Sequence, residues 1–262
     1  MELKIYQVDA FTDRVFHGNP AAVVPLETWL PNETLLNIAA ENNLSETAFF
    51  VPTEKGFHLR WFTPTIEVDL CGHATLATAF VIFNHLDYER DTITFESQSG
   101  PLNVSRKTDK LTLDFPLWPH REISPDPRVT EIFGKEAIAT YASKKLVAVY
   151  DDPAFIRQAK PDISRIAEID EYQGVIITSA GEKPYDFISR NFAPQSGIPE
   201  DPVTGSAHCV LCPIWSERMN GQREFLAHQA SARGGDLDCK LTDDRVYISG
   251  KAVLFMQGTF SI

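Results

Sequence analysis

An α+β fold made of two pseudo-symmetric halves is predicted by three observations. A long stretch of the chain repeats its order of elements, the strand-like segments alternate or run apolar, and each half holds one segment of small apolar residues with helical character. The first block, 3–24, reads as strand, turn, strand. LKIYQVDAF alternates, His17-Gly18-Asn19-Pro20 has turn chemistry, and AAVVP is a short buried strand. Residues 31–42 carry helical spacing with Pro31 near the start. A strand pair over 47–52 and 57–62 follows.

The repeat begins there. ETAFFVPTEKGFHLRWFTP at 46–64 and YQGVIITSAGEKPYDFISRNFAP at 172–194 both read strand, polar turn, strand, then Arg-x-Phe-x-Pro. Arg60, Phe62 and Pro64 answer Arg190, Phe192 and Pro194. Each segment leads through a loop to a glycine and a run of small residues, CGHATLATAFVIF from Cys71 and TGSAHCVLCPIW from Thr204. A further strand pair follows in each copy, at 98–115 and 229–250. A unit of this length, used twice, makes two domains rather than a solenoid. Prolines 116, 119, 125 and 127 mark the linker, giving domains at 1–117 and 118–262, with the last strand able to pack on the first.

Composition narrows the function classes. The chain has 262 residues and a formal net charge of −12, which disfavours phosphate backbones and anionic membrane surfaces. No apolar run reaches the ~20 residues of a membrane span, and the N-terminus lacks a signal-peptide core, so the cytoplasm is expected. Cys71, Cys209, Cys212 and Cys239 are too few for a disulfide framework. Cys209-x-x-Cys212 has only His208 and His228 as further zinc donors and is read as buried helical thiols. Walker, G-x-G-x-x-G, G-x-S-x-G and H-E-x-x-H motifs are absent.

Three constellations could carry chemistry. Cys71-Gly72-His73 opens a helix whose first N–H groups lack partners and attract anions, and a histidine there can donate a hydrogen bond or serve as an acid/base group. Glu200-Asp201-Pro202-Val203-Thr204-Gly205-Ser206 is its echo, with Ser206 as a candidate helix cap and Asp201 as a capping or catalytic carboxylate. Glu46, in Leu44-Ser45-Glu46-Thr47, stands at a strand mouth where a carboxylate can act as general base or be merely solvated. If the halves face each other, both helix starts point into one cleft suited to a carboxylate.

The segments VDAFTDRVFHGNPAAVV, NLSETAFFV, RWFTPTIEVDLCGHATLATA, FAPQSGIPEDPVTGSAHCVL and SGKAVLFMQGTF resemble the phenazine-biosynthesis-like (PhzF-like) isomerase family over nearly the whole chain. The resemblance implies the diaminopimelate epimerase-like fold, in which two pseudo-symmetric α+β domains each wrap a curved, mostly antiparallel sheet around a central helix. It implies Glu46, His73 and Asp201 as catalytic residues and Ser45, Gly72, Thr204, Gly205 and Ser206 as substrate-binding residues. It further implies a proton-transfer isomerase acting on a small anionic metabolite, homodimeric, needing no metal or organic cofactor. Cys71, directly before Gly72, keeps a cysteine-assisted racemase open as an alternative, alongside a non-catalytic binding protein. The second half looks trimmed against the family pattern.

Overall fold

The computed structural model describes residues Met1–Ile262. By spatial clustering the chain divides into one unit of Met1–Asp114 with Ser249–Ile262, and a second of Phe115–Ile248.

The first unit starts with β1 (Glu2–Ala10) and β2 (Asn19–Pro25), paired antiparallel. The turn between them ends on Gly18 at φ +64°, where a Cβ would sit 2.1 Å from the Ala10 carbonyl oxygen; only glycine fits. Helix α1 (Asn32–Asn42) ends on Asn43 in the left-handed region, whose N–H returns to the Ala39 carbonyl. That reversal feeds β3 (Glu46–Pro52), which runs parallel to β2 and antiparallel to β4 (Phe57–Phe62). Asn42 Nδ2 donates to Thr47 Oγ1 at 3.1 Å, tying the helix end to the strand start. After the short β5 (Glu67–Val68) comes α2 (Gly72–His85), and then β6 (Thr92–Glu96), β7 (Leu102–Lys107) and β8 (Lys110–Pro116).

Helix α2 is buried at eleven of its fourteen positions, which its Gly, Ala and Thr content allows. The Thr75 and Thr78 hydroxyls donate to the carbonyls of Cys71 and Ala74, so neither is a lost hydrogen bond. The helix packs on β1, β2 and β3, while Leu35 and Ile38 of α1 join Leu3, Val24, Phe49 and Phe62 in a separate cluster. Strand β2 is covered by both helices, which is why it reads as a continuous apolar run.

The second unit contains β9 (Arg121–Ile123), α3 (Pro127–Phe133), β10 (Ala139–Ala142), β11 (Leu146–Tyr150), α4 (Pro153–Gln158), α5 (Ile163–Ala167), β12 (Val175–Ala180), β13 (Phe187–Ala193) and β14 (Ile198–Asp201). Helix α6 (His208–Arg218), β15 (Glu224–Gln229), β16 (Gly235–Leu241) and β17 (Arg245–Gly250) complete that part of the chain. Pro213 inside α6 removes the bond that would reach the Cys209 carbonyl four residues back. The Trp118 N–H takes that acceptor instead, at 3.1 Å. The last strand, β18 (Ala252–Ser261), belongs to the first unit and pairs antiparallel with β1.

Pairing repeats between units. The antiparallel β1–β2, parallel β2–β3, antiparallel β3–β4 and parallel β4–β6 are matched by β10–β11, β11–β12, β12–β13 and β13–β15. The Arg-x-Phe pair is matched atom for atom. Arg60 makes a two-pronged bond to Glu67 and lies 5.0 Å over the Phe62 ring; Arg190 does the same with Glu200 and Phe192, also at 5.0 Å. The sequence reading missed β5, β6, β14 and β15 and placed no element over 121–167, where β9, α3, β10, β11, α4 and α5 lie, all short segments of seven residues or fewer.

The register also shows where the copies part. Phe62 faces Thr47 across β3–β4, and Phe192 faces Val175 across β12–β13. Glu46 therefore corresponds to Gly174. There φ is +139° and a Cβ would lie 2.4 Å from the Phe192 carbonyl oxygen, so the second unit has no room for an acid.

Burial separates two kinds of arginine pair. Arg190 is buried and also donates to the Ala159 and Ile156 carbonyls, whereas Arg128 joins Asp126 and Glu171 with 44% of its side chain exposed. Arg190→Ala strands Glu200 and should cost about 3–5 kcal/mol, while Arg128→Ala should cost about 1 kcal/mol or less. Urea denaturation of both variants checks the contrast.

Candidate active site

Glu46 is the first residue of β3 and His73 the second of α2, and both are buried. His73 Nε2 faces Glu46 Oε2 at 3.2 Å. On the other side of the ring, Asn19 Nδ2 lies 3.0 Å from Nδ1 and the Cys71 thiol 3.5 Å from the same nitrogen. With the amide donating, Nδ1 is the acceptor and the ring hydrogen sits on Nε2, the nitrogen nearer the carboxylate. Four residues from β2, β3 and the start of α2 thus converge. Asn19 is held in place by the Gly18 turn and by its pairing with Ala10.

Gly72 is the first residue of α2, and Cys71, in extended conformation, precedes it without a side-chain cap. The partial positive charge of the helix start therefore lies beside this group. Ser45 is half-buried directly before Glu46.

The second unit assembles a different group. Thr204 Oγ1 donates to Asp201 Oδ2 at 2.5 Å. Gln229, at the end of β15, brackets the same turn: Oε1 accepts from the Thr204 N–H at 2.8 Å, and Nε2 donates to the Asp201 carbonyl at 2.6 Å. His208 Nδ1 donates to the Thr204 carbonyl at 2.9 Å. Ser206 does not cap a helix as expected. Gly205–Ala207 form a 3₁₀ turn, α6 begins at His208, and no side chain caps either. The Thr204 hydroxyl is spent on Asp201, which fixes the loop while leaving the turn's start to the backbone.

The sequence reading missed Asn19 and Gln229. Asn19 stood within a turn signal, and Gln229 lies twenty-five residues from its partner with nothing local to single it out. Cys209 and Cys212 are buried thiols, and burial pushes both well above the ordinary thiol range. A groove of about 620 Å³ elsewhere in the first unit, between α1 and β18, is lined by Ile5, Ile38, Met256 and Phe260 and holds no comparable cluster.

The family model described as phenazine biosynthesis-like protein matches residues 8–258. The chain belongs to that family. It is 45% identical over 262 residues to an isomerase of Pseudomonas aeruginosa, covering all of both chains. It is 43% identical to the phenazine biosynthesis-like domain-containing protein 1 of Mus musculus, again covering all of both. Among solved structures, a PhzF-family phenazine biosynthesis protein of Enterococcus faecalis superposes with a TM-score of 0.96 at 46% identity, over all of both chains. A hydroxyproline epimerase of Agrobacterium vitis, at 11% identity and a TM-score of 0.66, shares the fold over 98% of this chain and 92% of its own. The protein is thus a PhzF-like isomerase with an epimerase-type α+β fold. The match to the Pseudomonas aeruginosa isomerase runs over 262 positions, whereas the alignment with the Mus musculus protein spans 290, so the chain is shorter than that relative.

His208 supplies a pH signature. Complete burial pushes it down to about 4, partly offset by its bond to the Thr204 carbonyl. Unfolded, it takes up a proton near its ordinary value of 6.5, so lowering the pH from 7 to 4 favours the unfolded state by roughly 3 kcal/mol from this group. The melting temperature should fall over that range, and less steeply in His208→Gln. Equal slopes in thermal melts at pH 7, 5.5 and 4 would refute the assignment.

Proposed function

We propose that this isomerase moves a proton on carbon of a small carboxylate-bearing metabolite without a cofactor, with Glu46 as the acid/base. The observation that carries the reading is the Glu46–His73–Asn19 line, a buried carboxylate facing an imidazole whose far nitrogen is already engaged. With Oε2 beside the His73 ring, the carboxylate takes a proton from carbon on Oε1. The electron pair left behind spreads into the substrate's carboxyl group. Backbone N–H groups at Gly72 stabilise that charge, since the helix start offers unpaired donors. Glu46 then returns the proton at a second carbon, and His73 keeps its orientation throughout. In the first unit Ser45 and Gly72 bind substrate beside Glu46; in the second, taken by itself, Thr204, Gly205 and Ser206 are a binding group in which Thr204 holds Asp201 for proton relay.

A racemase using Cys71 is the second reading, favoured by the thiol's place 3.5 Å from His73 Nδ1. In that version Cys71 and Glu46 deliver the proton to opposite faces of one carbon.

Proton NMR in D₂O with a panel of cyclic dienoic, amino and hydroxy acids tests both. Wild type should place deuterium on carbon of at least one acid, and Glu46→Gln should slow this by about 10²–10⁴-fold with the fold intact. Exchange undiminished in Glu46→Gln sinks the assignment. Exchange undiminished in Cys71→Ala removes the racemase reading.

A further inference from the structure

Glu46, Cys71 and His73 also form a donor set, in which the Cys71 thiol is a group that proton transfer by Glu46 does not require. One oxygen, one sulfur and one nitrogen, all on buried side chains, lie within 4.8 Å of one another. We propose that these three residues are a binding site for a thiophilic divalent cation of the zinc class. The proposal stands on this geometry and not on the proton-transfer reading.

Donor chemistry sets the choice of ion. Thiolate with imidazole favours Zn²⁺, Cd²⁺ or Co²⁺ over Mg²⁺ and Ca²⁺, which seek oxygen ligands. Three protein ligands and one open position are the pattern of an accessible zinc site. Charge also fits, because a carboxylate and a thiolate together neutralise a doubly charged ion, which is the condition for burying it.

The spacing is close to what coordination needs. Bonds of about 2.0–2.3 Å in a tetrahedron place ligand atoms about 3.2–3.7 Å apart. His73 Nε2 and Glu46 Oε2 are already at 3.2 Å, while the Cys71 sulfur lies 3.5 Å from Nδ1, so closing the site on Nε2 needs a side-chain rotation of Cys71. Gly72, between Cys71 and His73, keeps both donors on one helix start.

The protons balance. Cys71 gives its thiol proton to solvent as the sulfur–metal bond forms, and Glu46 binds as carboxylate. Neutral His73 moves its ring hydrogen from Nε2 to Nδ1 and binds through Nε2. The Asn19 amide turns over so that its oxygen accepts from Nδ1, the supporting contact that metal-bound histidines use. Uptake is therefore weaker at low pH. The ion takes the carboxylate that proton transfer needs and acts as a competitor to it.

The test uses the full chain, stripped with a chelator and titrated with Cd²⁺ while recording sulfur-to-cadmium charge-transfer absorption. The expected result is one equivalent bound, with the band lost in Cys71→Ser. Glu46→Gln should keep the band but bind roughly a hundredfold more weakly. Asn19→Ala should bind about tenfold more weakly. The buried thiols Cys209, Cys212 and Cys239 remain in every variant and serve as the internal control. A band undiminished in folded Cys71→Ser comes from them and overturns the site, as does wild-type protein that shows no band or loses Cd²⁺ to excess Mg²⁺. If Cys71→Ser fails to fold, unchanged affinity in Glu46→Gln overturns it equally. Neither result bears on deuterium exchange, so the two readings fail separately.

Discussion

A carboxylate can be kept inside a protein only if something there replaces the water it has lost. Beside Glu46 stands the His73 ring at 3.2 Å, and Asn19 sits on the ring's other nitrogen. Much of the first unit serves this one line. Gly18 makes the turn that delivers Asn19, Asn43 makes the reversal that delivers Glu46, and the bulk-free face of α2 lets His73 approach the strands. Small residues in α2 are thus a distance constraint as well as a packing choice.

The repeat separates scaffold from chemistry. Both units keep an arginine locked to a glutamate and laid over a phenylalanine, and both keep the same strand pairings. At the position of the acid, however, the second unit has Gly174 and no space for a side chain. It organises Asp201 and Thr204 around Gln229 instead. A framework used twice has held its structural ion pairs and let its polar groups diverge.

Much of this was legible in the sequence, for a physical reason. Arg-x-Phe-x-Pro, the small-residue helices and the Gly-Asn-Pro turn are local patterns, each with a conformational requirement of its own. The candidate acid stood out only through its resemblance to a family, since a glutamate at a strand start carries no local signal. What could not be read was pairing over distance. Asn19 meets His73 across fifty-four residues, and Gln229 reaches back twenty-five to Thr204. The Ser206 cap failed for the same reason, because the loop is ordered by a partner from a distant strand.

The strand β18 has a consequence for the birth of the molecule. Residues 115–248 form a contiguous unit, but the first unit needs 249–262, where β18 lies along all of β1. A ribosome makes those residues after the whole second unit. During synthesis the downstream unit can therefore close first, while β1 waits without its outer neighbour. The unit that carries Glu46 and His73 is begun first and finished last, so a chain without its final strand lacks a complete first unit.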